Sequence, residues 1–131
     1  MRYAELFDDK LVTVSAHAPK KFRNNIVHDL QMTSENIVKS IFWANEYRQS
    51  DIQKCLKYTK QAEINIRWMT RRLERARRMQ CITPVEELDL GGQLATVEEY
   101  FVGWSDSNKK LSEELRKEEL RKKESLGRDT G

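Results

Sequence analysis

Between residues 50 and 79 stand Lys54, Lys57, Lys60, Arg67, Arg71, Arg72, Arg75, Arg77 and Arg78 against only Asp51, Glu63 and Glu74, a local net charge of +6. Arginine presents a planar fork of donors that matches a phosphate, and a file of Arg and Lys along one helix face suits a nucleic-acid backbone. No base-reading motif accompanies the file, so the pattern predicts phosphate contact without sequence preference. The expected contact residues are Lys57, Lys60, Arg67, Arg71, Arg72, Arg75 and Arg78. A solvated helix face, or one that meets an acidic partner protein, is the competing reading of the same charges.

Residues 83–107 are the counterpart. They hold Glu86, Glu87, Asp89, Glu98, Glu99 and Asp106 with no Lys or Arg, a local net of −6, so the overall +3 from 24 basic and 21 acidic residues conceals a strong segregation. Ile64 and Trp68 lie four apart on the cationic side of their helix, and Val38 and Phe42 flank the main apolar stripe of the preceding one. Apolar groups on a second helix face point to an oligomer or partner interface. Two arrangements would use the segregated charge: self-association of basic and acidic helices from different copies, or pairing of the two within one copy.

Catalytic constellations are poor. His17 and His28 have no Cys or carboxylate at triad or metal-ligand spacing, no glycine-rich phosphate loop occurs, and the Glu-x-x-His pattern of di-iron bundles is missing. Cys55 and Cys81 lack a zinc or haem pattern. No catalytic residue, metal site or cofactor is therefore expected. Arg23 and His28 read Arg-x4-His, similar to the motif of the HEPN ribonucleases. Five residues correspond to about 140° of helix rotation, however, so the two would not share a face without a bend, and His28 reads better as a polar helix-face residue.

The elements that must position these groups are helices. Only five glycines and two prolines punctuate 131 residues, too few turns for a sandwich or barrel of short strands. A first helix is expected over residues 3–15, ending before Pro19. A second runs from Pro19, taken as its first helical residue, to about 45, with Phe22, Ile26, Leu30, Thr33, Ile37, Ile41 and Ala44 on its inner face. A third opens with Ser50 in a capping box with Gln53. It then repeats heptads through about residue 79: Ile52, Thr59, Ile66 and Leu73 at one seam position, Cys55, Ala62, Met69 and Ala76 at the other. A fourth is capped by Thr83 with Pro84 first and Glu86 third, and its seam is Leu90, Leu94, Val97, Phe101, Trp104, Leu111 and Leu115. Gly91-Gly92 within it suggests a close helix approach or a local break. Short connections predict an all-α, antiparallel up-down-up-down four-helix bundle over residues 1–111. Residues 112–131 form a charged C-terminal extension with Glu113–Lys117, Glu118–Lys122 and Glu119–Lys123 pairs, expected to fray or be disordered by about Lys123. A mean hydropathy of −0.80, no apolar run near 18 residues and no leader-like opening predict a reduced, cytoplasmic protein off the membrane.

The run Ile66-Arg67-Trp68-Met69-Thr70-Arg71-Arg72-Leu73, the break Cys81-Ile82-Thr83 and the closing Tyr100-Phe101-Val102-Gly103-Trp104 resemble the accessory variability determinant (Avd) proteins of diversity-generating retroelements. The wider group includes four-helix proteins encoded in 23S rRNA intervening sequences. The resemblance covers most of residues 1–110, including Pro19-Lys20-Lys21. It implies a non-enzymatic homopentamer that binds a reverse transcriptase and its template RNA, or DNA, in support of mutagenic cDNA synthesis. Arg67, Arg71, Arg72, Arg75 and Arg78 match the family's basic stretch, and Gly103-Trp104 its structural closing motif. A purely structural or protein-binding bundle of the intervening-sequence type is the alternative it implies.

Overall fold

The computed structural model describes residues 1–129 as an all-helical bundle of four helices, with no strand among them. Helix α1 spans Arg2–Ser15, α2 His28–Tyr47, α3 Ile52–Arg78 and α4 Pro84–Asp129. Each packs on its neighbour in sequence, α2 against α3 most extensively, and α1 closes on α4. Within α1, Ala4, Phe7, Leu11 and Ser15 recur every three or four residues and are all buried, one apolar stripe facing the core.

Helix 2 departs from the expected start. Pro19 keeps an extended conformation (ψ 141°) instead of entering the helix. The chain then passes through a 3-10 turn over Lys20–Phe22 and a wide π turn over Arg23–Val27 before α2 begins. The sequence neighbours Ile26 and Val27 are both buried within this widened turn. The expected inner face then follows: Leu30, Thr33, Ile37, Ile41 and Ala44 are buried, joined by Ser34 and Ser40.

Asp51, not Ser50, caps α3. The Asp51 carboxylate accepts the Lys54 N–H at 3.2 Å, while Ser50 lies in the turn that follows Tyr47. Along α3 the expected seam is buried from Cys55 to Ala76, with Ile52 half-buried. Its C-terminus is a Schellman motif: the Cys81 N–H donates to the Ala76 carbonyl at 2.8 Å and the Gln80 N–H to Arg77 at 2.9 Å. Gln80 there occupies the left-handed region at φ 60°, a position that ordinarily favours glycine.

The capping box that opens α4 is reciprocal: the Thr83 N–H donates to Glu86 Oε1 at 2.9 Å and the Glu86 N–H to Thr83 Oγ1 at 3.1 Å. Leu90, Leu94, Val97 and Phe101 are buried, Trp104 packs against the core, and Leu115 is exposed rather than on the seam. Gly91 and Gly92 mark neither a break nor a close approach. The helix is continuous through them, and a Cβ at either would meet nothing within 4 Å. The extension expected to fray past Lys123 is drawn as helix to Asp129, with residues 113–127 exposed; its last two residues lie outside the described ones. No described helix is long and apolar enough to cross a membrane.

Candidate nucleic-acid interface

The α3 seam fixes where the cations go. With Cys55, Ala62, Met69 and Ala76 buried, the heptad places Lys57, Ile64, Arg71 and Arg78 in one column on the opposite side and Lys54, Gln61, Trp68 and Arg75 beside it. Lys57, Lys60, Arg67, Arg71, Arg75 and Arg78 are exposed, and Arg72 is half-buried. From Lys57 to Arg78 the strip runs about 30 Å at 1.5 Å per residue.

The seven expected contact residues divide by their partners. Glu63 takes Arg67 at 2.9 Å and Lys60 at 3.3 Å. Arg72 reaches back to Asp29 on α2 at 3.4 Å and lies over the Trp68 ring, 5.7 Å from its centroid, so it works as a clip between α2 and α3. Lys57, Arg71, Arg75 and Arg78 form no ion pair among the described residues. Arg71, Arg75 and Arg78 with Trp68, Arg72 and Glu74 line a shallow recess of about 310 Å³. Cations without acidic partners surrender less on meeting a phosphate, because no existing pair must be broken.

The expected interface residues also separate. Ile64 is 54% exposed, Trp68 48% and Phe42 42%. Val38 is instead half-buried and packed against the core, because it borders the buried Ile37 and Ile41 stripe; it is a core-edge residue. Beside Phe42 the structure assembles a ring cluster that helix-by-helix spacing did not reveal. Trp43, 44% exposed, lies 6.1 Å from Tyr47 and 6.5 Å from Tyr58, and Tyr47 and Tyr58 stack 5.9 Å apart at 5°. Phe42 meets Trp43 edge-on at 5.3 Å, and Lys54 Nζ sits 4.9 Å over Tyr47. Trp43 and Tyr47 are four apart on α2 whereas Tyr58 is on α3, so only the register between the two helices brings them together.

The acidic residues of α4 are partly engaged. Glu87 pairs with Arg77, the one ion pair between α3 and α4 among the described residues, and Asp89 lies 4.0 Å from Lys10 of α1. Glu98, Glu99 and Asp106 remain exposed. Further along, three polar links join α4 to the end of α2 and the start of α3. Trp104 Nε1 donates to Asn45 at 3.0 Å, Arg48 to Ser107 at 3.0 Å, and the buried Asn108 amide to Thr59 Oγ1 at 3.3 Å.

Elsewhere, Arg23 and His28 are exposed at the two ends of the π turn, and Arg23 Nε donates to the Ala18 carbonyl at 3.3 Å. Cys55 and Cys81 are buried free thiols. Burial pushes both above the ordinary thiol pKa, and at Cys55 it outweighs the Thr59 hydrogen bond and the Arg48 charge. The described residues hold no group of three or more His, Cys, Asp or Glu placed to share a metal ion. No protein-family description, curated protein or solved structure matches the chain.

Proposed function

We propose that this chain is a non-enzymatic accessory protein that binds nucleic acid through the outer face of α3, and that it serves a reverse transcriptase and its template RNA as the Avd-like motifs imply. The observation that carries the reading is the set of exposed cations, Lys57, Arg71, Arg75 and Arg78, that have no acidic partner among the described residues and share one helix face. The four helices are read as an antiparallel up-down-up-down bundle. Three contacts support it: Arg77 near the end of α3 meets Glu87 near the start of α4, Thr59 near the start of α3 meets Asn108 far along α4, and Asp29 early in α2 meets Arg72 late in α3.

Self-association, as a pentamer by the same resemblance, is favoured by α4. Val85, Leu88 and Val102 are exposed there, with Leu88 at 77%. Val85 and Leu88 continue into Gly92 and Ala95 at three- and four-residue spacing, a second stripe that the core leaves uncovered, and Val102 follows seven residues on, past Glu99.

Filter binding of a structured RNA tests the first reading, with affinity falling steeply as salt rises. Absence of binding at low ionic strength would contradict it. Light scattering after size exclusion tests the second: a wild-type oligomer that Leu88→Glu with Val102→Glu reduces to monomer is expected, and a wild-type monomer would refute it.

A further inference from the structure

The ring cluster of α2 and α3 is not core. The small Ser40, Ala44, Thr59 and Ala62 of the same two helices are buried, whereas Tyr47 and Tyr58 are only half-buried. Phe42 and Trp43 keep more than two fifths of their surface in water. Polar groups border them: Asn36, Lys39, Gln61 and Asn65 share a recess of about 320 Å³ with Trp43 and Tyr58. Lys54 stands over Tyr47, and Lys57 follows one turn along α3.

We infer that this cluster is a stacking platform for unpaired bases, so that the nucleic acid taken by the α3 face is single-stranded at this end. The inference rests on the reading of that face as a nucleic-acid surface. Three features favour a single strand. The exposed Trp43 ring, with the half-buried Tyr47 and Tyr58 beside it, offers a stacking face that every base can use and that a duplex keeps occupied by its own stacking. The Asn and Gln amides each carry donors and an acceptor, as a base edge requires. Lys54 and Lys57 begin the cation strip that continues to Arg78, giving the strand's phosphates a track about 36 Å long. The cationic and amide border suits this occupant better than an apolar protein surface, and a protein partner is left as an outcome of the test.

The test is fluorescence anisotropy with labelled homopyrimidine strands of about 12 nucleotides, within the site sizes of single-strand binders. RNA and DNA strands are assayed beside a duplex of the same length, with wild type, Trp43→Ala, Trp43→Phe and the double charge reversal Arg71→Glu, Arg75→Glu. Wild type is expected to prefer a single strand, of either sugar, over the duplex. Trp43→Ala should weaken single-strand binding about tenfold and leave duplex binding unchanged, Trp43→Phe should retain most of the affinity, and the charge reversal should weaken both. Single-strand affinity untouched by Trp43→Ala overturns the platform while leaving the basic face standing, and marks the rings as a site for a protein. Equal losses with strand and duplex, or a loss that Trp43→Phe shares in full, likewise overturn it. Failure of every probe to bind wild type at low salt removes the basic-face reading itself, and the platform with it.

Discussion

Along the outside of α3, Arg71, Arg75 and Arg78 stand without acidic partners among the described residues, whereas along the outside of α4 Val85, Leu88, Gly92, Ala95 and Val102 succeed one another beside Glu99 and Asp106. Both helices bury an inner seam, and both outer faces lie beyond what the core requires. Water treats them differently. An exposed guanidinium is well solvated and waits at little cost for a polyanion, while an exposed apolar stripe is unfavourable until another apolar surface covers it. One bundle thus carries two outer surfaces that water treats in opposite ways, and charge alone would have described only the first.

The largest effect should separate the two faces by binding. Reversing Arg71, Arg75 and Arg78 to Glu is expected to lower nucleic-acid affinity at least about a hundredfold at moderate salt, since each lost phosphate contact removes its share of counterion release. Neutralising Glu98, Glu99 and Asp106 to Gln should leave binding intact or raise it, as a filter assay would read. Equal losses from both would mean that the faces act as one surface.

Next comes stability within α4. Leu90 is fully buried and Leu88 is exposed, two residues away. Leu90→Ala should cost about 2–5 kcal/mol in denaturant unfolding, and Leu88→Ala should stay within about 0.5 kcal/mol. A large loss from Leu88→Ala would show that the outer stripe is already covered in the folded unit.

A smaller loss is expected at the joint between the helices. Thr59→Val removes the acceptor of the buried Asn108 amide and should destabilise by about 1–3 kcal/mol, measured in the same way. Gly92→Ala, by contrast, is expected to stabilise by up to about 1 kcal/mol, because the helix is continuous and a Cβ there meets nothing. If Gly92→Ala instead impairs self-association while leaving the fold unchanged, the bare backbone of the stripe is itself a contact.

The last effect is on pH. Both thiols have raised pKa values in the folded state, so their contribution is fully present below the ordinary thiol value and is lost as pH rises through the folded one. Thermal melts should show Tm falling at alkaline pH, and the fall should shrink in a Cys55→Ala, Cys81→Ala variant.

Much of this fold is written in single-helix spacing. The α3 heptads from Cys55 to Ala76 are buried as their periodicity requires, and Thr83 with Glu86 forms the capping box that its spacing indicates. Ambiguity arose where two residues were chemically equivalent for one task. Ser50 and Asp51 both make good caps, and residue type alone does not choose between them; the structure uses Asp51. Proline at position 19 suits a first helical residue as well as the extended residue it is, and residue type alone does not choose between them. On the candidate site, the cationic column could be read directly, but its division could not. Asp29 engages Arg72 from another helix, and Trp43, Tyr47 and Tyr58 meet only through the α2/α3 register. Asn108 reads as a surface residue until the same kind of register places it against Thr59.

The central claim is that α3 presents a working phosphate-binding face, and the most direct test is the salt dependence of RNA affinity for wild type beside the Arg71→Glu, Arg75→Glu, Arg78→Glu variant. The account predicts that log affinity falls linearly with log salt, and that the variant's slope is shallower by roughly 0.7–0.9 for each phosphate contact removed. Equal slopes for the two proteins, or a wild-type affinity indifferent to salt, would contradict it.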